Sequence, residues 1–443
     1  MKHYKYEKGQ AIIIIAFAIV VLVGFAALAI DGGRVLSDRR HAQNAADTAA
    51  FAGALARIRG ENYTTAGIDR AASNDYDNNG VSNVVEVHLC NEAGITCQLP
   101  TGVDPADYIQ VKITSHVQTV FARVLGINQL TNVVQAVARA TLPEINSWFD
   151  GKALVSVMEG CKGDGGDPNN PFTVGGNGTT IVNNSGIFVN SACSIAFVDN
   201  GTSNIVTTDD GTCVVGGIQA GVNGVTPPPN GHCGSQININ DYVLPDPDTY
   251  CESDGSITGS NGNYEAWPGS FNKTGSQTFP DVSPSGVLKL HKGVYCLYNG
   301  ISLNANWEIT TDLNENDEHD SDSEGVFFYI PDGDVTFNGG SSLNVHAISS
   351  SDYPITIRNY LFYIPLSNEA NVTITGNNGS TFTGTVLAPA SHCTLDGSGN
   401  TFSLDTQLIC RDVTITGAGY IDITFTDENN AVTTKKPTVR MEQ

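Results

Sequence analysis

Along the chain, apolar and polar positions fall into three successive patterns: one unbroken apolar block, a stretch at helical spacing, and a long series of short β-type pieces. Ala11 to Ile30 is an uncharged run of twenty residues. At 1.5 Å per residue it covers about 30 Å, the width of a bilayer's hydrocarbon core. It is longer than the apolar core of a cleaved secretory signal, and no small-residue cleavage site follows it. The run predicts a transmembrane helix. From Gly33 to Ile58 the chain has no proline and is dense in alanine, so the helix continues beyond the bilayer. Ala42, Ala46, Ala49 and Gly53 lie on one face, where small side chains permit close approach of another helix.

Alternation then takes over. Val84–Leu89 and Tyr108–Ser115 read as half-buried strands, Thr119–Leu125 as a short helix ended by Gly126, and Asn132–Thr141 as a further strand. This is a small α+β head on a long helix. From Trp148 onward, four- to six-residue pieces such as TTIVN, GVFFYI and ANVTIT alternate with Gly-Asn, Asn-Gly and Gly-Ser turns. Such pieces suggest an all-β sandwich or a coiled solenoid; the scarcity of long hairpins, and inward Val, Ile, Leu and Phe able to stack between coils, favour a right-handed parallel β-helix over a sandwich. Thr226–Tyr250, with Pro227, Pro228 and Pro229, reads as an excursion from the stack. The predicted organisation is a cytoplasmic tail (1–10), a transmembrane helix (11–30), the long helix and pilin-like α+β head (31–142), an all-β ectodomain (148–425) and a polar C-terminal tail (426–443).

Charge sharpens the division. Residues 1–142 hold 12 basic and 12 acidic side chains, so the net charge of −24 lies entirely beyond Leu142. A body with that charge repels phosphate backbones, which argues against nucleic acid as a partner. The positive-inside comparison is a tie, with Lys2, Lys5 and Lys8 before the apolar run and Arg34, Arg39 and Arg40 after it. All ten cysteines lie beyond the run, as expected of an oxidising compartment and disulfides. The N-terminus is therefore expected in the cytoplasm and the bulk outside it. Cys90 and Cys97 bracket a short turn and are expected to pair. Cys393 and Cys410, seventeen residues apart in adjacent strand-like pieces, are expected to reinforce the exposed terminal coils.

Several stretches resemble the TadG-like proteins of Flp (Tad) pilus assembly. These are Lys8-Gly9-Gln10-Ala11, Ala29-Ile30-Asp31-Gly32-Gly33-Arg34, and Gln43-Asn44-Ala45-Ala46-Asp47-Thr48-Ala49-Ala50, with weaker likeness at Thr119–Ile127 and Val133–Ala140. The resemblance implies a membrane protein whose partners are Tad pilus components. Filament-forming pilins are commonly cut after a glycine and carry glutamate five residues on; here Gly9 is in place but Ile14 stands in the glutamate position, which points to an uncleaved anchor. The segment from Ser380 to Phe425 resembles terminal coils of β-helical ectodomains on bacterial pilus-associated surface proteins.

Candidate chemistry is sparse. Asp75, Asp77, Asn79, Gly80 and Glu86 match the spacing of a calcium-binding EF-hand loop, so Asp75, Asp77, Asn79 and Glu86 are the candidate metal ligands and calcium the one candidate cofactor. Against this, Val84–Leu89 reads as a strand where an exit helix should begin. The acidic run Asp312–Glu324 could hold a cation loosely, and Asp281, Ser283 and Ser285 have the spacing of a metal-dependent adhesion site without its preceding strand. Acidic-polymer lyases need a basic proton acceptor and positive charge, whereas only ten basic residues follow Leu142. Glycosidases need two carboxylates about 5–9 Å apart, and the tight pair Asp209-Asp210 points to opposite faces of a strand. The sequence thus predicts a non-enzymatic, membrane-anchored, extracytoplasmic structural or adhesive protein of Tad-type pilus assembly, its surface ligand open. The competing reading is a surface glycan-binding or glycan-cleaving β-helix, which would need a clustered aromatic face.

Overall fold

The computed structural model describes residues 10–143, 145–163, 169–201, 204–279, 286–303, 307–311, 325–338, 341–376, 380–397 and 402–442. The chain divides into two compact units, Met1–Glu144 with Lys436–Gln443, and Ile145–Lys435. The second is thus an insertion in the first.

The first unit is built on α1, Gln10–Ile58, followed by α2, Tyr63–Ala72. Asn62 caps α2 by accepting the Thr65 amide at 3.0 Å. Three strands follow, β1 (Asn83–Leu89), β2 (Tyr108–Gln118) and β3 (Gln129–Thr141), and the strand Thr438–Glu442 completes an antiparallel sheet in the order β1-β2-β3-terminal strand. The stretch 426–443, expected as a polar tail, therefore carries two strands, Val432–Thr434 and Thr438–Glu442.

From Ile12 to Ile30 of α1 nearly all side chains are open: Ile12, Phe17, Val20 and Leu28 are about 70% exposed. The helix is long and apolar enough to cross a membrane. Its second half is covered. Ala42, Ala46, Ala49 and Ala54 are fully buried against Ile109, Val111 and Ile113 of β2 and Ala136 and Ala138 of β3. The small-residue face meets a helix of its own chain, α2, where a Cβ on Gly53 would lie 3.2 Å from the Tyr63 carbonyl oxygen, and it packs on the sheet as well. At Gly67 of α2 an added Cβ would lie 3.0 Å from Val87 Cγ2, so glycine sets that approach.

The second unit holds an eleven-stranded and a fifteen-stranded sheet among the described residues. Every described ladder in these two sheets is parallel, except that of the hairpin Ser256–Ser260 with Asn263–Trp267. From Thr179 on, the chain passes back and forth between the sheets, most laps adding one strand to the eleven-stranded sheet and one or two to the fifteen-stranded sheet. Inward residues align from lap to lap: Leu288, Ile309, Leu343 and Val345 on one wall, Tyr295, Phe328 and Phe362 on the other. Phe328 and Phe362 stack with centroids 5.0 Å apart, and Phe172 and Phe197 at 5.3 Å.

The laps do not run in simple sequence. Leu154–Ser156 starts in the middle of the stack, paired on one side with Ile187–Val189 and on the other with Leu408–Thr416. The chain winds outward to Asn230–Gly231, crosses over, and resumes at the far end with Ser256–Ser260 and Asn263–Trp267. From there it winds back until Tyr420–Thr424 pairs with Thr179–Asn183. The segment around Cys393 and Cys410, expected to be an exposed end, is therefore interior, with strands on both sides. The crossing segment packs on the outer face of the fifteen-stranded sheet, where Phe188, Val294, Phe327, Tyr363 and Leu387 form a second core with Ile239 and Cys251. Buried Asn190 fixes it twice, accepting the Ile237 amide and donating to the Ile237 carbonyl, both at 2.7 Å. Five disulfides join Cys90 to Cys97, Cys161 to Cys193, Cys213 to Cys233, Cys251 to Cys296, and Cys393 to Cys410. Both pairs named from the sequence are among them.

Candidate functional site

The most developed polar site in the first unit lies where α1 meets the ends of β2 and β3 nearest the apolar run. Asp31 and Asp38 are seven residues apart, two helical turns, so both face the sheet. Asp31 follows the last residue of the apolar run, yet it is only 5% exposed. Its carboxylate accepts the backbone amides of Val120 (2.8 Å), Phe121 (3.0 Å) and Ala122 (2.7 Å) in the turn between β2 and β3. Those donors, Val120 first and Ala122 next, hold its pKa below the ordinary carboxylate value against the opposing effect of burial. Asp38 accepts from Asn132 Nδ2 (2.7 Å), Tyr76 Oη (3.2 Å) and Ser115 Oγ. Burial, followed by the charge of Asp38, pushes the Tyr76 phenol well above its usual range.

Beside Asp38 opens a cleft of about 470 Å³ lined by Arg34, His41, Asp75, Tyr76, Asn83 and His116, among others. The His41 ring meets Tyr76 edge-on at 5.5 Å and its Nε2 lies 3.0 Å from the Asn74 carbonyl. With Asp38 occupied by three donors, the cleft offers hydrogen-bonding groups for a polar ligand and ties the helix to the sheet.

The four candidate calcium ligands border this region but turn different ways. Asp75, at φ 69°, projects a side chain 91% exposed, with Oδ2 3.8 Å from His41 Nε2. Asp77 accepts from Asn83 Nδ2 at 3.0 Å, the main cause of its lowered pKa. Asn79 Oδ1 accepts the Val81 and Ser82 amides, each at 2.8 Å. Glu86 lies in β1, on the face opposite buried Val85 and Val87, and accepts from Lys112 Nζ of β2 at 2.8 Å. Among the described residues no group of three or more His, Cys, Asp or Glu comes together as a metal site. Helix α2 ends at Ala72, and a loop of ten residues leads from it to β1. The acidic run 312–324, and Asp281, Ser283 and Ser285, lie outside the described residues.

One constellation in the second unit had no sequence signal. Parallel pairing sets His392 beside Asp412, and alternation puts Thr394 on the same face. His392 Nδ1 hydrogen-bonds Asp412 Oδ1, and its Nε2 lies 3.2 Å from Thr394 Oγ1. The order hydroxyl, imidazole, carboxylate is that of a triad in which the carboxylate orients the ring and does not itself take the proton. Asp412 also accepts from Arg411 Nε at 2.9 Å, so its charge is shared between two partners. The Asp209-Asp210 pair separates: Asp209 accepts the Asn184 amide at 2.7 Å and Asp210 pairs with Lys152. Of the three tryptophans, Trp148 and Trp307 are buried, and half-buried Trp267 stacks on His291 at 4.5 Å.

Asp31 and Asp38 were not singled out as site residues. Their signal is the i, i+7 spacing, which sets both on one helix face. The stretch that carries them is also the one that matches known proteins: the Flp pilus-assembly TadE/G-like (Tad) family matches residues 9–56. That span covers the apolar run and nearly all of the alanine-rich half of α1. No curated protein and no solved structure gives a match to the chain.

Proposed function

We propose that the protein is a single-pass, membrane-anchored component of a Tad-type pilus system, with its N-terminus in the cytoplasm and a structural or adhesive body outside. The observation that carries this reading is the coincidence of the TadE/G-like match, residues 9–56, with a helix long and apolar enough to cross a bilayer. Five disulfides beyond that helix support an oxidising compartment for the body. The laps of the second unit are read as coils of a right-handed parallel β-helix, because strands of neighbouring laps pair in parallel and the chain returns repeatedly to the same two sheets. The role is read as non-catalytic, and the buried tryptophans favour structural use of aromatic residues over a sugar-binding platform.

The decisive experiment is crosslinking in intact envelopes followed by purification of the full chain from membranes. Co-purified Tad pilus components support the reading; recovery with bound glycan and no pilus protein supports the glycan-binding alternative. Retention in membranes through carbonate washing, with Lys2, Lys5 and Lys8 still present, is expected of an uncleaved anchor. Mature chains beginning at Gln10 would show pilin-type processing instead.

A further inference from the structure

Strand β2 runs against the direction of α1, and its contacts mark depth along the helix. Near its start, the Ala106 carbonyl meets Arg57 of α1; further on, Ser115 meets Asp38; just past its end, Val120, Phe121 and Ala122 meet Asp31. The β2–β3 turn, Thr119–Asn128, is therefore the end of the unit nearest the apolar run, level with the first residue beyond it. The turn is closed on itself by the Thr119 amide donating to the Asn128 carbonyl at 3.1 Å and by a left-handed Gly126.

Its side chains are the reverse of what an aqueous turn carries. Val120 is 50% exposed, Phe121 37%, Val124 88% and Ile127 46%. Leu130, at the start of β3, is exposed as well, and on the helix beside them Ile30 and Leu36 are open. Arg34, Arg39 and Arg40 are exposed just above, and Arg123 sits within the turn. Apolar tips beneath a collar of arginines match the profile of a bilayer interface, acyl boundary below and headgroups above.

We propose that the Thr119–Asn128 turn is a second membrane contact: Val120, Phe121, Val124 and Ile127 seat in the interfacial layer beside the transmembrane helix, and Asp31 fixes their depth. The occupant is lipid, because the patch is continuous with the exposed apolar surface of α1 and Asp31 places it one residue past the twenty-residue span. Seating the turn orients the first unit at the membrane, which a single helix cannot do. The proposal rests on the anchor reading.

The test uses the full chain in vesicles of phosphatidylethanolamine and phosphatidylglycerol. An environment-sensitive fluorophore is attached through Val124→Cys, Leu28→Cys or Phe51→Cys, one variant at a time. All ten native cysteines are bridged, so the added thiol takes the label. Phe51 is 45% exposed and about 30 Å further along the helix than Asp31. Lipids carrying a nitroxide near the headgroup should quench the Val124 probe severalfold more than the Phe51 probe, with a blue-shifted emission. A Val124 probe that behaves like the Phe51 probe, while the Leu28 probe is quenched by lipids labelled on the acyl chain, would overturn the proposal and leave the anchor standing. A Val124 probe shielded from aqueous iodide yet untouched by nitroxide lipid would mean a second copy covers the turn, and would also overturn it. An unquenched Leu28 probe would remove the anchor reading and this proposal together.

Discussion

Asp31 and Ala122 are 91 residues apart in sequence, and the carboxylate of one accepts the backbone amide of the other at 2.7 Å. With the Val120 and Phe121 amides, this contact fastens the β2–β3 turn to the helix where the apolar run stops. Because these donors favour the charged carboxylate, the folded pKa is depressed. The stabilisation is thus fully present above the ordinary carboxylate range, about pH 4, and is lost as pH falls through the folded value. Hydrogen exchange at Val120, Phe121 and Ala122 should stay protected from pH 7 down to that range. Asp31→Ala should remove the protection severalfold at neutral pH while amides of β1 stay unchanged. Equal loss across the sheet would show that Asp31 supports the whole unit rather than the turn.

The disulfide between Cys393 and Cys410 closes a loop of seventeen residues, with both cysteines almost completely buried. Restriction of the unfolded chain makes it worth about 3 kcal/mol. Non-reducing peptide mapping should recover the two as one linked peptide. The double variant Cys393→Ala, Cys410→Ala should lose stability of about that size in denaturant titration. Free thiols at both positions would sink the expectation and weaken the case for an oxidising compartment.

Much of the first unit was legible because its signals are local. The apolar run, the alternation of Val84–Leu89 and Tyr108–Ser115, and the glycine after Thr119–Leu125 each speak for a few neighbouring residues, and α1, β1, β2 and Gly126 lie where they predict. The terminal strand Thr438–Glu442 was not legible: TVRME alternates, but it holds only two apolar residues and its side chains stay largely exposed beside β3, so it does not stand out from a polar tail. The calcium-like spacing illustrates the converse. Asp75, Asp77 and Asn79 meet the pattern, but the two-residue period of β1 sends Glu86 to the far face and to Lys112.

In the second unit the strands were readable and their order was not. One lap takes nineteen residues from Leu404 to Ile423, another thirty-seven from Val345 to Phe382, so no fixed repeat survives in the sequence. Parallel neighbours are chosen by side-chain stacking across laps, which leaves no mark on either strand alone. The proximity of Thr394, His392 and Asp412 was hidden for the same reason.

Where the first and last laps meet, glycines are required on both sides. Gly176 and Gly417 have φ of 77° and 101°, and a Cβ on Gly176 would lie 2.1 Å from the Gly417 carbonyl oxygen. Gly176→Ala should destabilise the second unit by at least about 1–3 kcal/mol, through the left-handed backbone and the clash together. A control at Gly221, where an added Cβ meets nothing within 4 Å, should show the backbone cost alone. Equal melting temperatures for the two variants would mean the seam is not formed as described.

Calcium can be tested directly. With Glu86 committed to Lys112 and Asp77 to Asn83, EDTA should change the melting temperature of the full chain by no more than about a degree. The double variant Asp75→Ala, Glu86→Ala should respond to EDTA in the same way. A shift of several degrees that disappears in the variant would establish a calcium site at the loop.

The mid-stack start of the second unit has a consequence for how the chain is made. Leu154 pairs with Leu408, so the first laps present a bare parallel edge until some 250 further residues have emerged. Sheet closure of this kind is slow, since a long chain must be searched before its contacts form, and the waiting edge invites pairing with other chains. If the body is exported as proposed, in N-to-C order, the early laps stay open until the closing strands have crossed. Such a chain has reason to rely on a holding factor or on rapid oxidation of Cys161 to Cys193 and Cys213 to Cys233, which lie within the early laps and can form before the closing strands arrive.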